Sequence, residues 1–293
     1  MLEPLVQNLA FGILVGALYG LAAVGLSLVF GVTKFLNVSH GELLMFGGYA
    51  AFWVFTSMGI DPFLTLFFSV AFLIIIGLIL YKLLFARMVK LTESVKIQNT
   101  LLVGFGLSLI FQNLAIRLWT ADTRGITTSY SGTVLTVLEV RLPVVRLISL
   151  LIAVVIIVGL SLFLRRTYTG KALRAAVENW EAATLMGIDI HRVYFLAFVL
   201  GAALAGVAGT LVAVNYSIEP SMGLNWTLKA LIVMVLGGLG SITGTLVGGL
   251  LLGLTESITS LLLSSNYREV VGLVLFVLIL IFRPQGLFGT KEG

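Results

Sequence analysis

Uncharged apolar runs follow one another along almost the whole chain, and no other feature constrains its fold as strongly. A run of about 20 apolar residues crosses the hydrocarbon core of a bilayer as one helix. The runs free of Asp, Glu, Lys and Arg are residues 5–33, 43–60, 62–81, 97–116, 147–164, 193–218, 230–255 and 270–282. They predict an all-α, polytopic membrane bundle of eight spans, organised as a single transmembrane domain over residues 1–293.

Composition excludes the other broad classes of fold and several classes of site. Hydrophobic residues make up 59% of the chain and charged residues only 11%, against about 25% charged in an ordinary soluble domain. The absence of cysteine excludes disulfides, thiolate metal sites and cysteine nucleophiles. The two histidines, His40 and His191, lack a carboxylate cluster at ligand spacing, so we expect neither a metal nor another cofactor. The net charge is +5, and the basic residues lie between the apolar runs. This distribution suits contact with anionic membrane lipid and not with nucleic acid.

Glycines interrupt the run at residues 230–255. Gly237, Gly238 and Gly240 fall in its middle, with Leu239 and Ser241 beside them. Because non-helical backbone at membrane depth must lie inside protein or beside a cavity, these glycines are candidates for the translocation path or a gate. We predict a broken or re-entrant helix here, with residues 228–236 as a short crossing, which leaves eight or nine crossings.

The distribution of lysine and arginine predicts the orientation of the bundle, because basic loops stay in the cytoplasm. One basic loop contains Arg87, Lys90 and Lys96, and a second contains Arg165, Arg166, Lys171, Arg174 and Arg192. Two spans separate these loops, so both are predicted to be cytoplasmic and the N-terminus external. Arg283 and Lys291 place the C-terminus in the cytoplasm, which requires an odd number of crossings. Arginines in residues 121–146 oppose this assignment, although acidic residues partly balance them.

Glycine also recurs at four-residue spacing, a pattern that lets helix backbones approach closely in lipid. It occurs in Gly12, Gly16 and Gly20, and again in Gly240, Gly244 and Gly248. We predict close helix packing at both places, with a role in lining the pore as the alternative.

A few polar residues lie within or beside the predicted spans. Ser39 and Glu42 have the spacing of a capping box at the start of the second span. The alternative is that Asn37, His40 or Glu42 lines the substrate path. Glu256 is an acid in an apolar run, and such acids face the bundle interior or a wet cavity. Glu256 is therefore also a candidate for the translocation path, where it would couple transport to protons. The alternatives are that it pairs with Lys229 or lies at a helix end.

Residues 165–192 form the one long polar segment that is predicted to be both cytoplasmic and helical. Residues 171–177 are rich in strong helix formers. Small side chains allow close approach to this segment at four alanines, residues 175, 176, 182 and 183. An apolar patch follows, formed by Leu185, Met186 and Ile188. An apolar patch on a polar segment indicates a surface for a partner protein.

Glu181, Ala182 and Ala183 followed by Gly187 resemble the EAA-x3-G loop of ABC importer permeases, which docks the ATPase. The resemblance implies a coupling helix that ends at Gly187. The residues assigned to coupling are Arg174, Glu178, Glu181, Ala182, Ala183 and Gly187.

The wider segment 170–188 resembles the branched-chain amino acid permease family in particular. Two further blocks, residues 31–42 and 229–244, are similar to motifs of that family, which usually has alanine where Ser39 stands. The resemblance runs from near residue 12 to Gly286. It implies the permease subunit of a bacterial importer in the cytoplasmic membrane, working with a second related permease, two cytoplasmic ATP-binding subunits and an external amino-acid-binding protein.

Sequence motifs separate this function from two alternatives. Gly170 and Lys171 lack the earlier glycine and the following Ser or Thr of a phosphate loop, so ATP must be hydrolysed by another chain. A secondary transporter would have inverted repeats and intramembrane charges, and an enzyme would need convergent nucleophiles, acids or metal ligands. We expect a transporter subunit and not an enzyme. The sequence leaves open which amino acid or related compound, such as an amide or urea, is carried.

Overall fold

A computed structural model describes residues 2–89, 91–137, 139–283 and 285–289. Its helices are α1 (Leu2–Thr33), α2 (His40–Met58), α3 (Leu66–Leu83), α4 (Glu93–Trp119), α5 (Val144–Arg166), α6 (Tyr168–Glu178), α7 (Trp180–Leu185), α8 (Ile190–Asn215), α9 (Met222–Gly237), α10 (Ile242–Leu262) and α11 (Arg268–Phe282). Strands β1 (Val134–Val137) and β2 (Val140–Pro143) form an antiparallel hairpin. The prediction of an all-α, polytopic membrane bundle is confirmed.

Seven helical segments in the described part of the chain are long and apolar enough to cross a membrane. They are α1, α3, α4, α5, α8, α10 and Ser265–Phe282, in which one turn of 3-10 helix leads directly into α11. Helix α9 is apolar but shorter, with 16 residues. The glycine break lies where it is predicted, because α9 ends at Gly237 and α10 begins at Ile242. Gly238 and Gly240 adopt φ angles of 107° and 81°, a region that glycine enters without steric cost. Eight or nine crossings remain a prediction.

Close packing of α1 against α10 organises the centre of the bundle. A Cβ atom on Gly16 would lie 2.8 Å from both the Gly249 carbonyl oxygen and the Leu250 Cα. The predicted close approach at the first glycine series is therefore confirmed. In the second series, Gly244 and Gly248 face Gly237 of α9 and not α1. The glycines of α10 that face α1 lie instead one position further along, at residues 249 and 253.

Both predicted basic loops lie at the same end of the bundle, called the basic end below. The Tyr81 hydroxyl at the end of α3 donates to the His191 carbonyl at the start of α8. The Lys96 ammonium lies 5.7 Å from the centre of the Trp180 ring. Lys90 and Lys291, which contributed to the predicted orientation, lie outside the described residues.

The opposite end, called the hairpin end below, carries the β1–β2 hairpin. The sequence of residues 121–146 gave no prediction of strands. Beside the hairpin, the backbones of Arg124 and Ile218 exchange two hydrogen bonds of 2.9 and 2.7 Å. These bonds join the segment after α4 to the segment after α8, so residues 216–221 also lie at the hairpin end.

Candidate functional site

Helix α2 begins deep inside the bundle, because the non-helical residues 34–39 run beside α4 toward the middle of the bundle before α2 starts. The Leu36 N–H donates to the Thr100 hydroxyl (3.0 Å), and further along the Ser108 hydroxyl donates to the Glu42 carboxylate (2.9 Å). At a rise of about 1.5 Å per residue, Ser108 lies about 22 Å from the start of α4 and about 16 Å from its end. Non-helical backbone at this depth must be enclosed by protein or border a cavity.

The N-terminus of α9 meets the N-terminus of α2 at this depth. The Gly41 N–H donates to the Thr227 hydroxyl, and that hydroxyl donates to the Val38 carbonyl, both at 2.9 Å. A Cβ atom on Gly223 would overlap the Glu42 carboxylate. Two helix N-termini therefore converge beside one acid, an arrangement in which the helix dipoles favour its negative charge.

Glu42 is the central acid of this cluster and is 1% exposed. Its Oε1 accepts the hydrogen bond from Ser108, whereas its Oε2 has no hydrogen-bond partner among the described residues. A buried carboxylate oxygen without a hydrogen-bond partner is costly, because the great majority of buried polar atoms are paired. The geometry therefore allows Glu42 to act as a movable contact between α2, α4 and α9.

The predicted capping box of Ser39 and Glu42 is wrong. Ser39 makes no side-chain cap on α2, and its hydroxyl donates to Asn37 Oδ1 at 2.7 Å. Asn37 is buried, so its oxygen needs donors and takes both the hydroxyl and the backbone N–H of Ser39. Glu42 turns instead toward Ser108. Ser39 and Ser108 thus supply hydrogen-bond donors inside the bundle.

His40 lies in the same cluster but contacts a different helix. Its Nε2 is 3.0 Å from the Ala22 carbonyl of α1, and the ring is buried. The structure thus brings Asn37, His40 and Glu42 together at the start of α2. Their role in the translocation path stays a prediction.

Glu256 lies in a second buried cluster, formed by α1, α9 and α10. Lys229 Nζ is 3.0 Å from Glu256 Oε1 and 3.0 Å from the Tyr19 hydroxyl, which donates to Glu256 Oε2 at 2.7 Å. The pairing of Glu256 with Lys229 that the sequence offered as one alternative is therefore present. Tyr19 was missed, because a tyrosine within an apolar run gives no signal that distinguishes it from a packing residue.

The glycine turn lies apart from both clusters, at the basic end. A Cβ atom on Gly240 would lie 2.9 Å from the Gly31 Cα at the end of α1. The Leu287 and Phe288 N–H groups donate to the carbonyls of Leu236 and Gly237, each at 3.0 Å, and so satisfy the end of α9. The predicted path residues therefore fall into three separate places.

The predicted coupling segment lies at the basic end as two short helices. The side chain of Thr167 caps α6, and the side chain of Asn179 caps α7 by accepting from the Ala182 N–H at 2.9 Å. The segment is helical as predicted but is interrupted at Asn179, which adopts an extended backbone and starts a new helix. Gly187 ends α7 as predicted, with φ of 83° and a hydrogen bond from the Ile188 N–H to the Ala183 carbonyl.

The exposed surface of α7 is apolar at its end. Leu185 is 89% exposed and Met186 is 84% exposed. Four other residues assigned to coupling are exposed as well, namely Glu178, Glu181, Ala182 and Gly187, whereas Ala183 is buried beneath them. Arg174 is also exposed, and its side chain donates to the Leu164 carbonyl of α5 at 3.0 Å. The segment thus combines a free apolar surface with firm attachment to the bundle.

Comparisons with known proteins agree with this architecture. The sequence profile described as "Branched-chain amino acid transport system / permease component" matches residues 8–282. The chain is 33% identical to the high-affinity branched-chain amino acid transport system permease protein BraD of Pseudomonas aeruginosa, over 98% of this chain and 96% of that protein. It is 31% identical to the permease protein LivH of Escherichia coli over the same shares of the two chains.

A probable branched-chain amino acid transport permease protein LivH of Methanocaldococcus jannaschii is 29% identical, over 92% of this chain and 88% of that protein. No solved structure gives a significant match. With a family match over most of its length and relatives that align from end to end, this chain belongs to the permease family of branched-chain amino acid transport systems, and it is a multi-pass transport permease and not an enzyme.

Proposed function

We propose that this chain is the membrane-spanning subunit of an ABC importer for branched-chain or related hydrophobic amino acids, with ATP hydrolysed on partner subunits. The observation that supports it most is the exposed α7 surface at the basic end, formed by Leu185 and Met186 beside the Glu181, Ala182, Ala183 and Gly187 motif. Exposure of two bulky apolar side chains to water is unfavourable, so their presence on an otherwise polar segment indicates a surface for a partner. A cytoplasmic ATPase is the partner that fits this surface.

The attachment of α6 and α7 to the bundle supports a route by which movement of an ATPase would reach it. A Cβ atom on Gly170 would lie 2.5 Å from the Leu164 Cα, so α6 lies directly on the end of α5. The Lys96 ammonium of α4 lies over the rings of both Trp180 and Tyr194, at 5.7 and 5.2 Å. A displacement of α7 is therefore passed to α4, α5 and α8 together.

Helix α8 extends this connection to the centre of the molecule, since it packs against α1, α2 and α3. Through α2 it reaches the buried cluster around Glu42, where two helix N-termini meet. In the proposed cycle, the chain acts as a single transmembrane domain in which α7 transmits the closure of the ATPases to this cluster. Opening of the path first outward and then inward follows from the movement of α2 and α9 relative to α4.

The proposed assembly contains a second related permease, two cytoplasmic ATP-binding subunits and an external amino-acid-binding protein. The test is reconstitution of this assembly in liposomes, with uptake measured for a panel of labelled amino acids. We expect ATP-dependent uptake of leucine, isoleucine and valine. We also expect no ATP turnover by the isolated chain. ATP hydrolysis by the isolated chain, or uptake by the chain alone, would contradict the proposal.

Two substitutions test α7 as the docking element, and each has a matched control at the hairpin end. Gly187→Leu places a side chain at a φ of 83°, and Gly59→Leu does the same at a φ of 66° in another site with open space around it. Ala182→Trp enlarges the α7 surface, and Ala121→Trp enlarges an exposed site beyond α4. We expect the α7 variants to lose ATPase copurification and uptake while membrane abundance holds. Normal copurification and uptake in both α7 variants would eliminate α7 as the coupling element.

A further inference from the structure

A groove opens on the side of the bundle between α9, α10 and α11. It is open on one side, and its accessible volume is about 70 Å³. One water needs about 10–15 Å³ of such volume, so the groove has room for several waters or for the polar groups of a small ligand. Its lining combines charged, amide and aliphatic side chains, namely Asn225, Leu228, Lys229, Ile232, Leu252, Glu256, Glu269, Gly272 and Leu273.

The polar residues of this groove do not suit contact with lipid. The side chains of Lys229 and Glu256 are 21% and 9% exposed, and Asn225 and Glu269 are exposed residues. A charged residue within a membrane helix is costly in contact with lipid, and such residues face the bundle interior, a water-filled cavity or another protein surface. The groove therefore belongs to an aqueous path or to a subunit interface.

The ion pair at the base of the groove is held in a fixed geometry and has unused hydrogen-bonding capacity. The Lys229 ammonium has three N–H donors, of which two are directed to Tyr19 and Glu256. Each oxygen of Glu256 accepts one hydrogen bond within the cluster, and a carboxylate oxygen can accept a second. One donor on a cation and two acceptor sites on an anion thus stay available next to each other.

The remaining wall of the groove is aliphatic, formed by Leu228, Ile232, Leu252 and Leu273. A cation and an anion side by side next to branched aliphatic side chains match the chemistry of a zwitterionic amino acid with an aliphatic side chain. We propose that this groove is the site that the transported amino acid occupies during passage. Lys229 and Asn225 face its carboxylate, Glu256 and Glu269 face its ammonium, and the leucines face its side chain. This inference rests on the proposed function and adds a substrate site to it.

Thiol labelling tests the site directly, because the chain contains no cysteine. The full transporter complex carrying Asn225→Cys is treated with a water-soluble, positively charged methanethiosulfonate reagent, with and without saturating leucine. We expect rapid labelling that leucine slows at least fivefold and that glutamate does not slow. Leu102→Cys, at an apolar position of α4 that is 68% exposed, is the control and should stay unlabelled.

Each other outcome overturns the inference. No labelling of Asn225→Cys means that lipid or a paired subunit covers the groove. Labelling that leucine does not slow means that the groove is wet but holds no substrate.

A size substitution separates direct occupancy from an indirect conformational effect. Leu273 and Val274 are neighbours on α11 with similar exposure, but only Leu273 lines the groove. We expect Leu273→Trp to reduce leucine uptake at least tenfold and alanine uptake much less, and Val274→Trp to leave both close to wild type. Equal effects of the two variants would refute a substrate site here. Wild-type complex that imports no amino acid would instead refute the proposed function, so the two failures are distinguishable.

Discussion

Substitution of Gly16 by alanine tests the packing that holds α1 against α10. The added methyl would lie 2.8 Å from the Gly249 carbonyl oxygen and from the Leu250 Cα, both of which are backbone atoms. Backbone cannot rotate away as a side chain can, so the two helices must separate locally. Gly106 provides a matched control, because it is also in a helix interior and no atom of the described chain outside the adjacent backbone of its own helix lies within 4 Å of its Cβ position.

The two substitutions share one effect and differ in another. Replacing glycine by alanine in a helix interior favours the helix by about 1 kcal/mol at either position. Overpacking a close contact costs about 1–3 kcal/mol, and only Gly16→Ala incurs that cost. We therefore expect Gly106→Ala to be neutral or stabilised by up to about 1 kcal/mol, and Gly16→Ala to lie about 1–3 kcal/mol below it in unfolding free energy.

Unfolding of the purified protein in mixed micelles, followed by circular dichroism as the fraction of denaturing detergent rises, measures this difference. Gly16→Ala should unfold at a lower fraction of denaturing detergent than Gly106→Ala. Equal midpoints for the two variants would show that α1 and α10 tolerate a methyl between them. In that case the close approach of their backbones would not be a source of stability.

Three further predictions concern the hairpin end and the Glu42 cluster. Ser221→Cys should react with an impermeant thiol reagent in intact cells, and labelling only after lysis would refute the predicted orientation. Burial and the 2.6 Å hydrogen bond to Asp61 raise the pKa of Tyr130 to about 12. The protonated Tyr130 hydroxyl therefore stabilises the fold fully below pH 10, and this stabilisation is lost as the pH rises through 12. The difference in unfolding free energy between wild type and Tyr130→Phe should shrink over that range. Gly223→Ala should lower membrane abundance because its methyl overlaps the Glu42 carboxylate, and adding Glu42→Ala should restore abundance; an additive loss in the double variant would contradict this contact.

The sequence predicts the spans well because the bilayer imposes one simple requirement. Any helix that crosses must be long and apolar, and any break at depth must be enclosed, so the runs and the glycines at 237–240 give correct element positions. The end of α7 is also predictable, since Gly187 supplies the positive φ that a helix terminus of this kind needs.

Other features depend on contacts between segments that are distant in sequence. Ser39 and Glu42 have the local spacing of a capping box, yet Asn37 and Ser108 take their hydrogen bonds once α2 and α4 are packed. Tyr19 joins Lys229 and Glu256 across more than 200 residues, a relation that no local pattern contains. The β1–β2 hairpin is likewise a short, exposed pairing that the composition of its loop does not reveal.

The deep start of α2 has a consequence for the order in which the protein is assembled. Residues 34–39 are non-helical, and α2 is not among the helices of the described chain that could cross a membrane by their own length and hydropathy. Irregular backbone of this kind is not tolerated in contact with lipid, and its partners Thr100 and Thr227 are synthesised later. The segment can therefore reach its final position only after α9 has left the ribosome, so the placement of α2 does not follow the order of the sequence.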